Sequence, residues 1–206
     1  MSDLLTNLSS VHKDALKEIG NIGAGNAATA FAQFLDTKID MTVPSVAIVP
    51  MSEVPEVTGG IEKSVISVLL KVMGEAPGSI LLVLSEASTE NLLEMVLFSK
   101  QDLDDTNEVQ VSAIKEIGNI LSGSYLNAIN QITGLNLFQS IPAFSHDMAG
   151  AILSSSMITL NDESDYALLI ETKFMNGDNE IEGYFFLIPN PGSLEKIILA
   201  LGLELK

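Results

Sequence analysis

A six-residue sequence that occurs twice constrains the fold of this chain more than any other feature. Both copies read KEIGNI, at residues 17–22 and 115–120, so each residue of the second copy stands 98 positions after its counterpart. The same offset relates further identical pairs: Ala15 and Ala113, Gly25 and Gly123, Ala30 and Ala128, Gln33 and Gln131, Pro44 and Pro142. Two copies at so long a period indicate a duplication, because a solenoid needs at least three units. We therefore expect a single domain over residues 1–206, with internal repeats at about 10–100 and 108–206.

Each copy lies within a long segment that the sequence predicts to be a helix. No proline interrupts residues 10–35, and Ser9 or Ser10 can cap the helix start. At 100° per residue, one face of each helix is apolar or small. The expected core residues are Leu16, Gly20, Gly23, Ala27, Ala30 and Phe34, then Ile114, Gly118, Leu121, Tyr125, Ala128 and Ile132.

The opposite face of each predicted helix carries a polar stripe. The two stripes consist of Asp14, Glu18, Asn21 and Gly25, and of Ser112, Glu116, Asn119 and Gly123. An exposed glutamate is usually a solvated charge, alone or paired with a nearby lysine, that contributes little. Asparagine and glycine, however, are poor helix residues, and each glycine costs roughly 1 kcal/mol. Their presence in both copies favours a flat face kept for a partner, with its chemistry still open.

The spacing of the stripe residues matches a known signature. In both halves an Asp or Ser is followed after three residues by Glu, after two by Asn and after twenty-two by Pro. This pattern resembles that of the CheC, CheX and FliY family of chemotaxis phosphatases. Two complete motifs are similar to CheC, whereas CheX usually retains one. We expect no flagellar-switch domain after residue 206, which argues against the FliY type. The resemblance implies an α+β fold of the CheC-like kind, a pseudo-twofold duplication with two long helices on the outside of a central β-sheet.

The resemblance also implies an activity and its residues. The substrate would be phosphorylated CheY, whose phosphoaspartate would be hydrolysed after a water is positioned for in-line attack. CheY would supply Mg²⁺ and a lysine, so the chain would need no cofactor or metal of its own. By this resemblance, Asn21 and Asn119 position the water. Glu18 and Glu116 pair with the CheY lysine, and Asp14 and Ser112, one turn further on, make accessory contacts.

Two other functional classes compete with the phosphatase. The same stripes could serve a non-catalytic scaffold that sequesters CheY or CheD. A metal-dependent hydrolase built from Glu and Asp clusters is disfavoured because the chain has only two histidines, His12 and His146, each expected to be partly exposed. No serine or cysteine nucleophile with a histidine base is evident.

Composition restricts the partners and the compartment. The formal net charge of −17 disfavours nucleic acid and anionic membranes. The chain has no cysteine, no signal-peptide pattern and no apolar run of about 20 residues that could span a bilayer. These features predict a cytoplasmic protein. The acidic run at 101–108 is interpreted as a solvated connector, since it lacks the glycine of a calcium loop.

The segment 143–156 breaks the symmetry between the halves. It mixes apolar and small residues without a clean period, and predicts either a short helix covering a core edge or a docking surface. The family resemblance implies CheD, a receptor deamidase, as a second partner. We assign its docking to Phe144, Asp147 and Met148, with His146, Ile152 and Leu153 as supporting residues.

Local patterns predict the remaining elements. The expected strands are 39–49 (edge or bulged at Pro44), 62–73, 79–84, 136–142, 157–160, 166–174 and 181–188. The expected helices are 88–98, 107–132 ending at Gly134, and 193–201, and 51–60 is expected to be a loop.

Overall fold

The structure is a computed structural model, and it describes residues 8–35, 40–43, 45–97, 107–160, 166–176 and 179–204. The helices are α1 (Ser10–Leu35), α2 (Val54–Val57, after a 3₁₀ turn at Met51–Glu53), α3 (Glu86–Leu97), α4 (Glu108–Thr133), α5 (Ala149–Leu160) and α6 (Ser193–Ala200). The strands are β1 (Asp40–Thr42), β2 (Val46–Pro50), β3 (Ser64–Gly74), β4 (Gly78–Ser85), β5 (Leu137–Gln139), β6 (Ala143–Met148), β7 (Tyr166–Asn176) and β8 (Asn179–Pro189). No helix in these ranges is long and apolar enough to cross a membrane.

The strands form one antiparallel sheet in which the two halves are interleaved. The order is β1-β7-β8-β4-β3-β5, with β2 also on β7 and β6 also on β3. The β4–β8 pair joins the hairpins of the two halves, from Gly78 opposite Pro189 to Leu84 opposite Gly183. Strands β1 and β2 of the first half thus pair with the second hairpin, and β5 and β6 pair with the first. The expected pseudo-twofold α+β architecture is confirmed.

The long helices begin and end where capping residues satisfy their free backbone groups. The Ser9 hydroxyl accepts from the backbone N–H of His12 at the start of α1. At the start of α4, Asn107 and Gln110 form a capping box. Gly134 ends α4 in the left-handed conformation, with φ of 72°, which glycine adopts without strain. The predicted cap at Ser9 and the predicted end at Gly134 are therefore correct, and Asn107, where the second helix was expected to start, is its N-cap.

Helices α1 and α4 pack together on one face of the sheet. The ring of Tyr125 on α4 lies against Gly23 of α1 and 4.4 Å, centroid to centroid, from Phe185 on the sheet. Its hydroxyl is 3.3 Å from Thr172 Oγ1, and burial raises the pKa of Tyr125 to about 12. The main core lies between these helices and the sheet, whereas α2 and α5 cover a smaller cluster on the other face.

The buried face of each long helix does not extend into its last turn, although the helical period of apolar residues predicts that it does. Phe34 and Ile132 are 46% and 40% exposed, whereas Phe31, which was not expected in the core, is fully buried. A helix of 26 residues extends beyond the sheet that covers its middle, so its last turn reaches solvent.

Three local predictions are wrong, one of them only in part. Residues 51–60 are not a plain loop, because Pro55 stands in the first turn of α2, where its missing N–H costs no hydrogen bond. The short helix expected within 143–156 begins only at Ala149, because residues 143–148 pair with β3 as a strand. From there α5 covers the smaller cluster, so that prediction is correct for the second half of the segment. Residues 157–160 belong to α5, not to a strand, since a run of only four residues is too short for its period to separate the two. The part of the acidic run before Asn107 lies outside the described residues.

Candidate functional site

The stripe on α1 faces solvent. Asp14, Glu18, Asn21 and Gly25 are all exposed, and a Cβ on Gly25 would meet no atom within 4 Å. The core residues Leu16, Ile19 and Gly20 take the opposite side of the helix. The helical period therefore places the predicted residues together on one open surface, as expected. Pro44, the last residue of the first motif, lies outside the described residues.

The stripe on α4 borders a groove. Ser112 and Glu116 are exposed and Asn119 is half-buried. They line an open groove of about 490 Å³ whose remaining walls are Lys115 and the connection from β5 to β6: Gln139, Ser140, Ile141 and Pro142. Asn119 and Pro142, which are far apart in the sequence, thus line the same groove, because β5 lies beside α4.

The side chains of both glutamates lack a partner within the described part of the chain. Among the described residues neither Glu18 nor Glu116 makes an ion pair or hydrogen bond, although Lys17 and Lys115 adjoin them in sequence. The Ser112 hydroxyl, by contrast, donates to the backbone carbonyl of Glu108 at 2.7 Å. Two unpaired carboxylates on exposed helices are available to a cation on another molecule.

Gln139 contacts the predicted Asn119 and was missed by the sequence analysis. Its Nε2 donates to the backbone oxygen of Asn119 at 2.9 Å and also to the Asn119 side-chain oxygen, Oδ1. The Asn119 NH₂ group has no hydrogen-bond acceptor within the described ranges. The only signal in the sequence was the 98-residue offset, which aligns Gln139 with Met41 and so marks a difference between the halves.

The two sites also differ in their apolar border. Ile141 lines the second groove with 89% of its surface exposed, whereas its counterpart Val43 is only 6% exposed. Large exposed apolar side chains at a concave surface are typical of interaction sites. The valines at the head of each stripe, Val11 and Val109, are likewise 56% and 62% exposed.

The histidines have structural neighbours. His12 is 8% exposed, so the expectation that it is partly exposed is wrong. Its Nδ1 accepts from Ser9 N–H and its Nε2 lies 3.1 Å from the carbonyl oxygen of Glu204, which joins the start of α1 to the chain's last described residues. His146 Nε2 lies 2.9 Å from Glu86 Oε1. In the described part of the chain, no three His, Cys, Asp or Glu side chains come together as metal ligands.

The residues assigned to partner docking do not form one surface. Phe144 is half-buried, whereas Asp147 and Met148 are exposed on β6, and the Asp147 carboxylate accepts from the Met148 backbone. Ile152 and Leu153 are 4% and 8% exposed and lie on the face of α5 that packs against the sheet, so their assignment to docking is wrong. They are buried because α5 covers the second face of the sheet.

A hydrogen-bonded cluster fixes β6 to α3. Glu86 accepts from the Ser64 hydroxyl at 2.6 Å and interacts with His146. The hydrogen bond from Ser64, followed by that from His146, lowers the pKa of Glu86. Ser64 and His146 both converge on one carboxylate oxygen, Oε1 of Glu86, so the cluster lacks the in-line order of a hydrolytic triad, in which histidine separates nucleophile and acid.

Comparisons with known proteins identify the family. A model of the CheC-like family matches residues 11–48 and 109–145, the two segments that carry the stripes. The chain is 35% identical over 197 residues to the CheY-P phosphatase CheC of Bacillus subtilis, covering 93% of this chain and 94% of the relative. The chain belongs to the CheC-like family.

A second curated relative and two solved structures resemble the chain more distantly. The flagellar motor switch phosphatase FliY of Bacillus subtilis is 27% identical over 128 residues, which cover 61% of this chain and 33% of that protein. The crystal structure of Thermotoga maritima FliY has a TM-score of 0.76 at 20% identity and covers 95% of this chain and 98% of that one. The FliM middle domain from H. pylori has a TM-score of 0.70 at 10% identity, covering 94% and 99%. The two structures show the fold alone.

Proposed function

We propose that this chain is a phosphatase that accelerates hydrolysis of the phosphoaspartate of the response regulator CheY. The observation that carries the proposal is the pair of exposed stripes, each with an unpaired glutamate one helical turn from an asparagine. Both stripes lie in the segments that match the family model, and a relative that covers almost the whole chain is a CheY-P phosphatase.

The chemistry asked of each stripe is limited. The acyl phosphate is reactive, and the receiver site would bring its own Mg²⁺ and lysine. The side-chain oxygen of Asn21 or Asn119 accepts a hydrogen bond from water, while its NH₂ donates to a phosphoryl oxygen, which aligns the water for in-line attack. Glu18 or Glu116 pairs with the lysine and sets the register of the helix. Asp14 and Ser112 contact the regulator one turn away.

The geometry suits completion of a partner's site rather than a self-contained pocket. The second groove is open and shallow, and the first stripe lies on the outer face of a helix. A helix face of this kind reaches a phosphoaspartate only when that residue lies at the surface of another protein. We infer a cytoplasmic location, where such a response regulator acts.

Decay of phosphorylated CheY separates the phosphatase from the scaffold. A phosphatase accelerates the decay at substoichiometric amounts, whereas a sequestering scaffold slows it or leaves it unchanged. Changing both Asn21 and Asn119 to alanine should abolish the acceleration and leave the melting temperature near that of the wild type, because neither side chain fills the core. Asn127→Ala, at an exposed asparagine of α4 outside the groove, is the matched control. Wild-type turnover in the double variant would disprove the water-positioning role.

We further propose that CheD docks at strand β6. Asp147 and Met148 are exposed there, and the outer edge of β6 pairs with no other described strand, so its backbone groups are available to a partner. Asp147→Lys should strongly weaken CheD binding because it reverses an interface charge, while stability changes little. The control is Glu94→Lys, an equal charge reversal at an exposed position of α3. Unchanged CheD affinity by calorimetric titration would remove β6 as the docking site.

A further inference from the structure

Gln139 makes an interaction with the second stripe that has no counterpart in the first. It stands at the end of β5 opposite Val72 of β3, which places its side chain beside α4. From there Nε2 donates to both oxygens of Asn119, the backbone carbonyl and the side-chain Oδ1. Met41 occupies the matching position on β1, opposite Phe174 of β7, and a thioether has no proton to donate.

This interaction fixes the orientation of the Asn119 amide. An asparagine amide can present either its oxygen or its NH₂ to a given side, and a free one samples both. With Oδ1 held by Gln139, the NH₂ of Asn119 is left for the groove that Asn119 lines. Oδ1 keeps a second lone pair, which can still accept from a water molecule. Both hydrogen-bonding functions of the amide are thereby available in a single orientation.

Stability does not explain a glutamine at this position. Its Oε1 is buried and has no hydrogen-bond partner in the described structure. A buried, unpaired acceptor is unfavourable, and an apolar side chain of similar length would avoid it. The first half has such a side chain, Met41, which packs against the core. The feature that sets Gln139 apart from Met41 is the pair of hydrogen bonds from its NH₂ group.

We propose that Gln139 is a positioning residue for the second site, holding the Asn119 amide in the orientation that hydrolysis requires. The inference rests on the proposed phosphatase function and assigns to Gln139 no contact with the substrate. On this proposal, the Asn119 amide of the second site is already oriented before the regulator binds. The Asn21 amide of the first site becomes oriented only when the regulator docks.

The test isolates the second site by working in an Asn21→Ala background. There Gln139→Met, which installs the residue of the other half, should lower kcat roughly tenfold with little change in KM, because misplacement of a positioning group affects the chemical step. Gln139→Glu keeps the shape but replaces the NH₂ donor by an acceptor, so it should lose at least as much. Turnover is measured as phosphate release from CheY kept phosphorylated by a small-molecule phosphodonor, and the melting temperature of each variant is recorded.

The Asn119→Ala background shows whether Gln139 acts through Asn119. If Gln139 acts through Asn119, the tenfold effect of Gln139→Met on kcat disappears in the Asn119→Ala background. In neither background does Gln139→Met lower the melting temperature of the protein. An unchanged kcat for Gln139→Met in the Asn21→Ala background would overturn the proposal, as would an equal loss in both backgrounds, which would indicate a general effect on the fold. Failure of the phosphatase proposal is seen separately, as decay of phosphorylated CheY that the unsubstituted chain does not accelerate.

Discussion

At positions 18 and 116 a glutamate faces solvent beside a lysine of its own helix, and neither glutamate forms an ion pair with a described residue. Exposed intramolecular pairs contribute little, so their absence costs the fold almost nothing. A carboxylate without a partner on its own helix can pair with a lysine on a docking protein, where exclusion of water strengthens the interaction.

Removal of these carboxylates should weaken binding of the phosphorylated regulator. Glu18→Ala or Glu116→Ala alone should leave residual activity, because the other site is intact. Together they should remove most of it at low substrate, through a roughly tenfold rise in KM that corresponds to about 1.4 kcal/mol. The measurement is the initial rate against the concentration of phosphorylated CheY. If one single variant is as inactive as the double, only one site works.

The residues of the two stripes could be predicted, whereas Gln139 could not. Glu18, Asn21, Glu116 and Asn119 follow from a repeated sequence and a helical period, both of which are local. The contact of Gln139 with Asn119 depends on how β5 lies beside α4, and that placement is set by pairing with β3, more than sixty residues earlier in the chain.

Among the elements, α1 contains two glycines, Gly23 and Gly25, with opposite effects on stability. A Cβ on Gly23 would lie 2.4 Å from the ring of Tyr125, so glycine permits α1 and α4 to approach each other. A Cβ on Gly25, two residues later, would meet no atom within 4 Å. Gly23 therefore serves packing, whereas Gly25 weakens the helix without any gain in the core.

Alanine at these two positions should change stability in opposite directions. Gly23→Ala should reduce the free energy of unfolding by about 1–3 kcal/mol, because the Tyr125 ring must move within a packed core. Gly25→Ala should raise it by roughly 0.5–1 kcal/mol through better helix propensity. Urea denaturation followed by circular dichroism gives both values. Similar destabilisation by the two changes would show that the Tyr125 contact is not what requires Gly23.

Strand β6 could not be predicted from the local sequence pattern. Five of its six residues, all but Phe144, are exposed, so no alternation of buried and exposed side chains reveals a strand. It is a strand because its backbone pairs with β3 from Ser64 to Leu69, and a remote partner leaves no trace in local composition. The hairpins β3–β4 and β7–β8 are predictable because apolar strand sequences flank short stretches of turn-forming residues.

For the whole molecule, one core crosses both halves. It contains residues from α1 and α4, both hairpins, and α3 and α6. The strands cross as well, since β1 and β2 lie on the second hairpin and β5 and β6 on the first. The single domain of two repeats over residues 1–206 stays a prediction. The exchange of strands between the two halves suggests how to test it.

Neither half should fold as a monomer when it is produced alone. A fragment of residues 1–100 would lack both the hairpin on which β1 and β2 pair and the strands that cover β3. We expect it to be unfolded or self-associated, and the intact chain to unfold in a single cooperative transition. Circular dichroism and size-exclusion chromatography of the fragment decide this, with the intact chain as the control. A folded, monomeric fragment would contradict the single-domain prediction.

The crossing of strands also limits how such a protein can change over generations. Each stripe is borne by its own half, but the strands beside it rest on the hairpin of the other half. A lineage that no longer needs one stripe can lose its glutamate and asparagine by substitution, because those side chains carry no packing. It cannot discard the half that bears them, since the surviving site would lose its supporting strands. A half whose stripe has become inactive would thus be retained because its hairpin supports the strands beside the active stripe.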